Sequence, residues 1–283
     1  MPRSQLVNYA EALEQFANKL EKKRSIKVGS FEEFTRNVWS KGYEHPEYFE
    51  SWHVSLICND VEKALQDGYN YVCVMPRLHL KSTVLGHSFS VWNFLRSTSG
   101  FDSDILYLSY SDGLAQEHIQ NINRYVRRNE QLMEWMEDRS PDADYAFNYH
   151  ISECNARILH GGIFSFKRGL HVNKAMIVDD ILRDPENPLN MTQMAKIENF
   201  FYDESMFIPN KEAIIVVIGT PMLPGDLLTK LKSDERFQYR FLPALDPMPG
   251  KRVLFSMLFN EDWLLRQQSS RPNSFAKEFL LAP

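Results

Sequence analysis

Cysteine is scarce and scattered in this 283-residue chain. Its three thiols, Cys58, Cys73 and Cys154, form no Cys-x-x-Cys pair and no Cys/His cluster of zinc-ligand spacing. A disulfide scaffold and a structural zinc site are excluded, and isolated thiols point to a reducing compartment. No apolar run reaches the ~18 residues that a membrane-spanning helix needs. The opening Met1-Pro2-Arg3-Ser4-Gln5 contains no signal-peptide core. The expected location is therefore a cytoplasm, with no membrane partner. Excess positive charge is missing as well: 32 Lys and Arg against 37 Asp and Glu leave a net charge of −5. A protein that grips nucleic acid over its whole surface is usually basic, so any such contact here must be local. What is present is an ordinary globular composition, 43% hydrophobic and 24% charged, with 19 Phe, 12 Tyr and 5 Trp. That supports a substantial core and argues against disorder.

Along the chain, Leu6, Tyr9, Leu13, Phe16 and Leu20 recur at helical steps over residues 4–23. Ser30-Phe31-Glu32-Glu33 is a capping box that opens a second helix. Lys41 to Glu50 reads as a loop, and a third helix runs from about Trp52 to Gln66, stopped by Gly68. From Tyr69 the pattern changes. Nearly continuous apolar runs at Tyr71–Met75, Ile105–Tyr110, Met176–Val178 and Ile214–Ile218 read as strands buried on both faces. Helical patterns at Ser82–Leu95 and Asp112–Arg128 lie between them, and Thr192–Tyr202 forms another. Arg157–Phe166, around Gly161-Gly162, reads as a hairpin or a strand with a tight turn. A last strand is expected at Val253–Leu258. Strand–helix alternation of this kind predicts a doubly wound α/β fold with a mainly parallel sheet, whose ligands sit at the carboxyl ends of the strands.

Three motifs end such strands. In Met75-Pro76-Arg77-Leu78-His79-Leu80-Lys81-Ser82-Thr83, a lysine followed by hydroxyl residues stands between a buried strand and a helix. That is the context of a phosphate-binding loop: the lysine neutralises β/γ-phosphates, the next hydroxyl ligates Mg²⁺ and helix N-terminal amides cradle the oxygens. Met75 and Leu80 occupy positions where such loops carry glycine. In Ala175-Met176-Ile177-Val178-Asp179-Asp180, an apolar strand ends in two carboxylates, the first suited to Mg²⁺ and the second to orienting or deprotonating water. The third strand ends in Gly219-Thr220-Pro221, where a hydroxyl can sense the γ-phosphate. Taken singly, each is also what an ordinary strand end looks like. Together, in this order, they read as a Mg²⁺-dependent ATPase.

In these segments the chain resembles the ATPase domain of viral large terminases. Pro76 to Thr83 matches that family's Pro-Arg-x-x-x-Lys-Ser-Thr form of the phosphate loop, Ser109-Tyr110-Ser111 with Leu114-Ala115 its next segment, and Gly219-Thr220-Pro221 its coupling motif. The resemblance implies a P-loop NTPase fold of the RecA/ASCE type with an N-terminal helical extension. Residues 1–68 would lead into the adenine-binding region, 69–250 form the ATPase core, and 251–283 lead toward a nuclease domain. It implies ATP and Mg²⁺ as ligands, with Pro76 through Thr83 around the phosphates, Arg77 reaching the γ-phosphate, and Trp52 and His53 near the base. Lys81 and Asp180 would be catalytic and Ser82 and Asp179 would hold the metal. Arg168, in Lys167-Arg168-Gly169, would act on the ATP of a neighbouring subunit. The family's second carboxylate is usually Glu; here it is Asp180, with Asp184 and Glu186 as nearby acids.

The partners so implied are double-stranded DNA, a portal protein, a small terminase subunit and further copies of the chain in a ring, with a monomer in isolation, in the cytoplasm of an infected host cell. The segment Phe275 to Leu280 resembles the join to the nuclease. No cluster of metal-binding aspartates follows Pro283, so a shortened form that does not cut DNA is expected. The competing readings are another P-loop motor of helicase or translocase type, a nucleotide-binding scaffold without turnover, and a small-molecule kinase, for which no substrate lid can be located.

Overall fold

The computed structural model describes residues 28–97, 102–138, 146–147, 149–151, 155–165, 169–182 and 190–283. The helix expected at 4–23 lies outside them, as do Arg168, Asp184 and Glu186.

The helices, in chain order, are α1 (Phe31–Asn37), α2 (Trp52–Asp67), α3 (Phe89–Leu95), α4 (Asp112–Arg127), α5 (Glu130–Trp135), α6 (Met191–Asp203), α7 (Leu227–Lys230), α8 (Glu261–Ser270) and α9 (Pro272–Glu278). The strands are β1 (Asn70–Val74), β2 (Asp102–Ser109), β3 (Glu137–Asp138), β4 (Tyr149–His150), β5 (Asn155–Gly162), β6 (Ala175–Asp179), β7 (Ile214–Gly219), β8 (Phe237–Phe241), β9 (Leu245–Met248) and β10 (Lys251–Val253). Six of them form one sheet in the order β5-β2-β6-β7-β1-β8. Every pairing in it is parallel. This is the doubly wound, parallel α/β sheet that the alternating pattern predicts.

The period-2 geometry of a strand divides the core into two layers. Tyr71, Cys73, Ile105, Tyr107, Ile177, Val216 and Ile218 face the cluster that contains α1, α2 and α3. Val72, Val74, Leu106, Leu108, Met176, Val178 and Val217 face the other, which includes Ile197 and Phe201 of α6 and Leu227 and Leu228 of α7. Every residue of β6 and β7 is buried, which is why these segments tolerate no polar residue until their last position. Because the strands are parallel, their carboxyl ends share one edge, and that edge carries Met75, Ser109, Asp179 and Gly219.

The capping box at Ser30 forms as expected, with Ser30 and Glu33 each accepting the other's backbone N–H. Gly68 ends α2 in the left-handed conformation at φ 77°. Four details differ from expectation. Residues 41–50 are no open loop, since short 3₁₀ helices span Trp39–Gly42 and Pro46–Glu50. The helix after the phosphate loop begins as a π-helical segment, Ser82–Ser88, before α3. Of the two readings of the segment around Gly161-Gly162, the hairpin fails and the strand holds, since residues 155–162 form a parallel edge strand on β2. The tail strand stops at Val253, because Leu254, Phe255 and Phe259 turn into the core.

Candidate nucleotide site

The phosphate loop takes its shape without glycine. Leu78 and Leu80 both adopt positive φ, 62° and 65°, a conformation that costs an ordinary L-residue roughly 1–2 kcal/mol. Packing on both sides holds the loop in it. Pro76 and His79 are buried. The His79 ring stacks on Phe259 at 5.0 Å, and its Nδ1 lies 2.6 Å from the Arg77 carbonyl. His53 Nε2 bonds the His79 carbonyl at 3.2 Å, and Ser51 Oγ meets His53 Nδ1 at 2.8 Å. Burial lowers the His53 pKa to about 3 and the His79 pKa to about 4. Arg77 pairs with Glu278 of α9 at 2.9 Å.

Four of the residues expected to do the chemistry converge. Lys81, 6% exposed, places Nζ 3.6 Å from Asp180 Oδ2. Ser82 Oγ donates to Asp179 Oδ1 at 3.1 Å across 97 residues of sequence. Asp179 is fully buried. Its Oδ2 accepts from the Tyr107 hydroxyl at 2.6 Å, its carbonyl accepts from Ser109 Oγ at 3.0 Å, and His118 Nε2 lies 3.6 Å from Oδ2. Burial pushes the Asp179 carboxyl above its usual range, against the opposing pull of His118. Asp180 sits just past the strand with φ 49°.

The coupling motif adjoins this centre. Thr220 Oγ1 donates to the Met75 carbonyl at 3.0 Å, tying the end of β7 to the start of the phosphate loop. Arg77, Asp180, Gly219 and Thr220 line one small cleft. Pro221 is buried beside them.

A second cavity of about 280 Å³ opens on the loop, lined by Leu78, Leu80, Lys81, Ser82 and Thr83 together with Tyr43, Tyr48, Phe255 and Leu258. Trp52, His53 and His79 do not line it. His53 and His79 support the loop from behind, and Trp52 lies under the Lys251 ammonium at 5.2 Å. The aromatic lining beside the lysine therefore comes from Tyr43, just past the first 3₁₀ segment, from Tyr48 in the second, and from the tail. Local sequence offered no sign of this, since those residues are brought together only by tertiary packing. Tyr107 and His118 were missed for a different reason: a tyrosine inside an apolar strand and a histidine on an amphipathic helix both read as core.

These residues suit magnesium and a nucleotide. A hydroxyl and a carboxylate 3.1 Å apart are a hard-oxygen donor pair, and a buried ammonium stands at the mouth of a half-apolar cavity of nucleoside dimensions.

No family model matches the chain, and no curated protein matches it. Among solved structures, the HK97 bacteriophage large terminase superposes with a TM-score of 0.54 at 14% identity, over 79% of this chain and 49% of that one. The large terminase of a thermophilic bacteriophage, in complex with ADP, superposes with a TM-score of 0.50 at 11% identity, over 76% and 48%. The chain thus has the fold of a phage large terminase, over about half the length of each of these solved examples.

Proposed function

We propose that this chain is the motor domain of a viral genome-packaging enzyme, hydrolysing ATP with Mg²⁺ to drive double-stranded DNA into a capsid. The observation that carries this reading is the meeting of Lys81, Ser82, Asp179 and Asp180 at the carboxyl edge of a sheet shared with large terminases, one of which was solved with ADP.

In this reading Lys81 and the backbone amides of the loop bind the phosphates. Ser82 and Asp179 hold Mg²⁺, which supplies neutralising charge on the phosphate oxygens. Tyr43, Tyr48 and Phe255 offer aromatic faces to the base in the adjoining cavity. Asp180 orients the attacking water and takes its proton. Thr220 passes the state of the γ-phosphate site to β7 and α7. Arg168 of a neighbouring copy stabilises charge on the phosphoryl group, so ring assembly on a portal accelerates turnover and a lone monomer is slow. DNA contact is local, and the small terminase subunit is a further partner.

The test is steady-state ATP hydrolysis with Mg²⁺ across a range of protein concentrations, in the wild type and in Lys81→Ala and Asp180→Ala. Loss of activity in both variants, with a more than linear rise with wild-type concentration, is the expected outcome. Unchanged activity in Lys81→Ala overturns the reading of the loop. The Lys81–Asp180 pair also favours a second reading, a nucleotide-binding scaffold, because it engages the two groups with each other. Binding of ATP by the wild type without turnover at any concentration selects that one.

A further inference from the structure

Behind Asp179 lies a polar array that the reading above does not use. Tyr107 of β2 and His118 of α4 lie face to face, ring centroids 4.8 Å apart at 28°, and both address Oδ2 of Asp179. His87, fully buried in the π-helical segment, meets His118 Nδ1 through its Nε2 at 2.9 Å. The other ring nitrogen of His87, Nδ1, is buried with no hydrogen-bond partner among the described residues.

That orphan nitrogen fixes the direction of the chain of hydrogen bonds. A buried N–H without an acceptor costs more than a bare ring nitrogen without a donor. His87 Nδ1 therefore carries no proton, and its Nε2–H donates to His118 Nδ1. The His118 proton then resides on Nε2, the atom that faces Asp179. Burial and the Asp179 charge both raise the Tyr107 pKa, which keeps it a phenol and a donor.

We propose that Tyr107 and His118, the latter set in its tautomer by His87, are positioning residues that orient the Asp179 carboxylate toward the metal. The assignment rests on the nucleotide–metal site described above. Among the described residues, Ser82 is the one other side chain bonded to the Asp179 carboxylate, and its hydroxyl is required by the metal. Without Tyr107 and His118, the Ser82 bond to Oδ1 is, among the described residues, all that is left to hold the carboxylate's rotation. Metal-site partners of this kind typically change metal affinity about 10–100-fold when removed.

The test is Mn²⁺ binding in the presence of ADP, read from the electron paramagnetic resonance signal of free Mn²⁺, beside ADP affinity measured in chelator. Tyr107→Phe and His118→Ala are each expected to weaken Mn²⁺ about 10-fold with metal-free ADP affinity unchanged. His118→Gln, whose amide can return a donor, is expected to recover most of the loss. If the wild type binds Mn²⁺ with ADP and both variants bind it equally well, the proposal falls and the nucleotide site stands. It falls too if ADP affinity drops in step with Mn²⁺, which marks a general disturbance. If the wild type itself binds no Mn²⁺ with ADP, the metal-site reading fails and takes the proposal with it.

Discussion

Asp180 holds its carboxylate 3.6 Å from the Lys81 ammonium while its own backbone sits at φ 49°. Aspartate and asparagine tolerate this left-handed conformation better than longer side chains, because their short polar arms can bond locally. This accounts for an aspartate where the resembled family has glutamate. Asp180→Asn keeps that backbone tolerance but leaves the buried Lys81 ammonium without its ion-pair partner, so it is expected to lose about 1–3 kcal/mol of stability while ATP turnover falls roughly 10²–10⁴-fold, the usual contribution of a general base. Asp180→Glu is expected to lose about 1 kcal/mol of stability from strain. Thermal melts and single-turnover hydrolysis check both. An Asp180→Glu that is more stable than the wild type would remove the backbone explanation.

Gly86 is expected to reverse the usual effect of a helix glycine. In an exposed helix, Gly→Ala gains about 1 kcal/mol. Here an added Cβ would fall inside contact distance of the Tyr107 hydroxyl oxygen and 3.2 Å from Cζ. Overpacking a buried site costs about 1–3 kcal/mol, so the clash outweighs the propensity. Gly86→Ala should therefore lower the melting temperature and displace Tyr107 from Asp179. Urea denaturation gives the sign directly, and a stabilised variant would show that Tyr107 yields without cost.

The two sides of this site differ in how visible they were in sequence. Strands β1, β2, β6 and β7 were legible because burial on both faces demands unbroken apolar runs, and Lys81, Asp179, Asp180 and Thr220 stood out as the polar residues that end or follow them. Strand β8, Phe237-Gln238-Tyr239-Arg240-Phe241, pairs on one side only among the described residues and includes partly exposed polar residues, so it carries no such run. Gly161-Gly162 looked like a turn, but a Cβ on Gly162 would lie 2.8 Å from the Asp112 backbone nitrogen. The glycine is there to admit the turn between β2 and α4, and the strand runs straight through it. The bent backbone at Leu78 and Leu80 left no trace in residue type, since the packing of His79 on Phe259 and His53 imposes it from outside the loop.

That packing carries a pH dependence. In the folded protein the His53 pKa is about 3 and the His79 pKa about 4, both lowered mainly by burial, against 6.5 for a free histidine. The unfolded chain therefore binds more protons below pH 6.5. The stability these residues contribute is complete above that pH, falls as pH drops toward 4, and levels off below the folded values. Linkage puts the loss at roughly 2 kcal/mol per histidine by pH 5, where both are still neutral in the folded protein. The reason is local: His79 Nδ1 already bonds the Arg77 carbonyl, and Nε2 is buried with no partner among the described residues, so an added proton has nowhere to point. Denaturant melts at pH 7, 6, 5 and 4 should show a steeper decline in the wild type than in His79→Phe, which keeps the stack on Phe259 and cannot titrate. Parallel declines would place the acid sensitivity elsewhere. Since His53 and His79 stay neutral in the folded protein until about pH 4, the nucleotide affinity of the folded protein should hold over that interval even as stability falls.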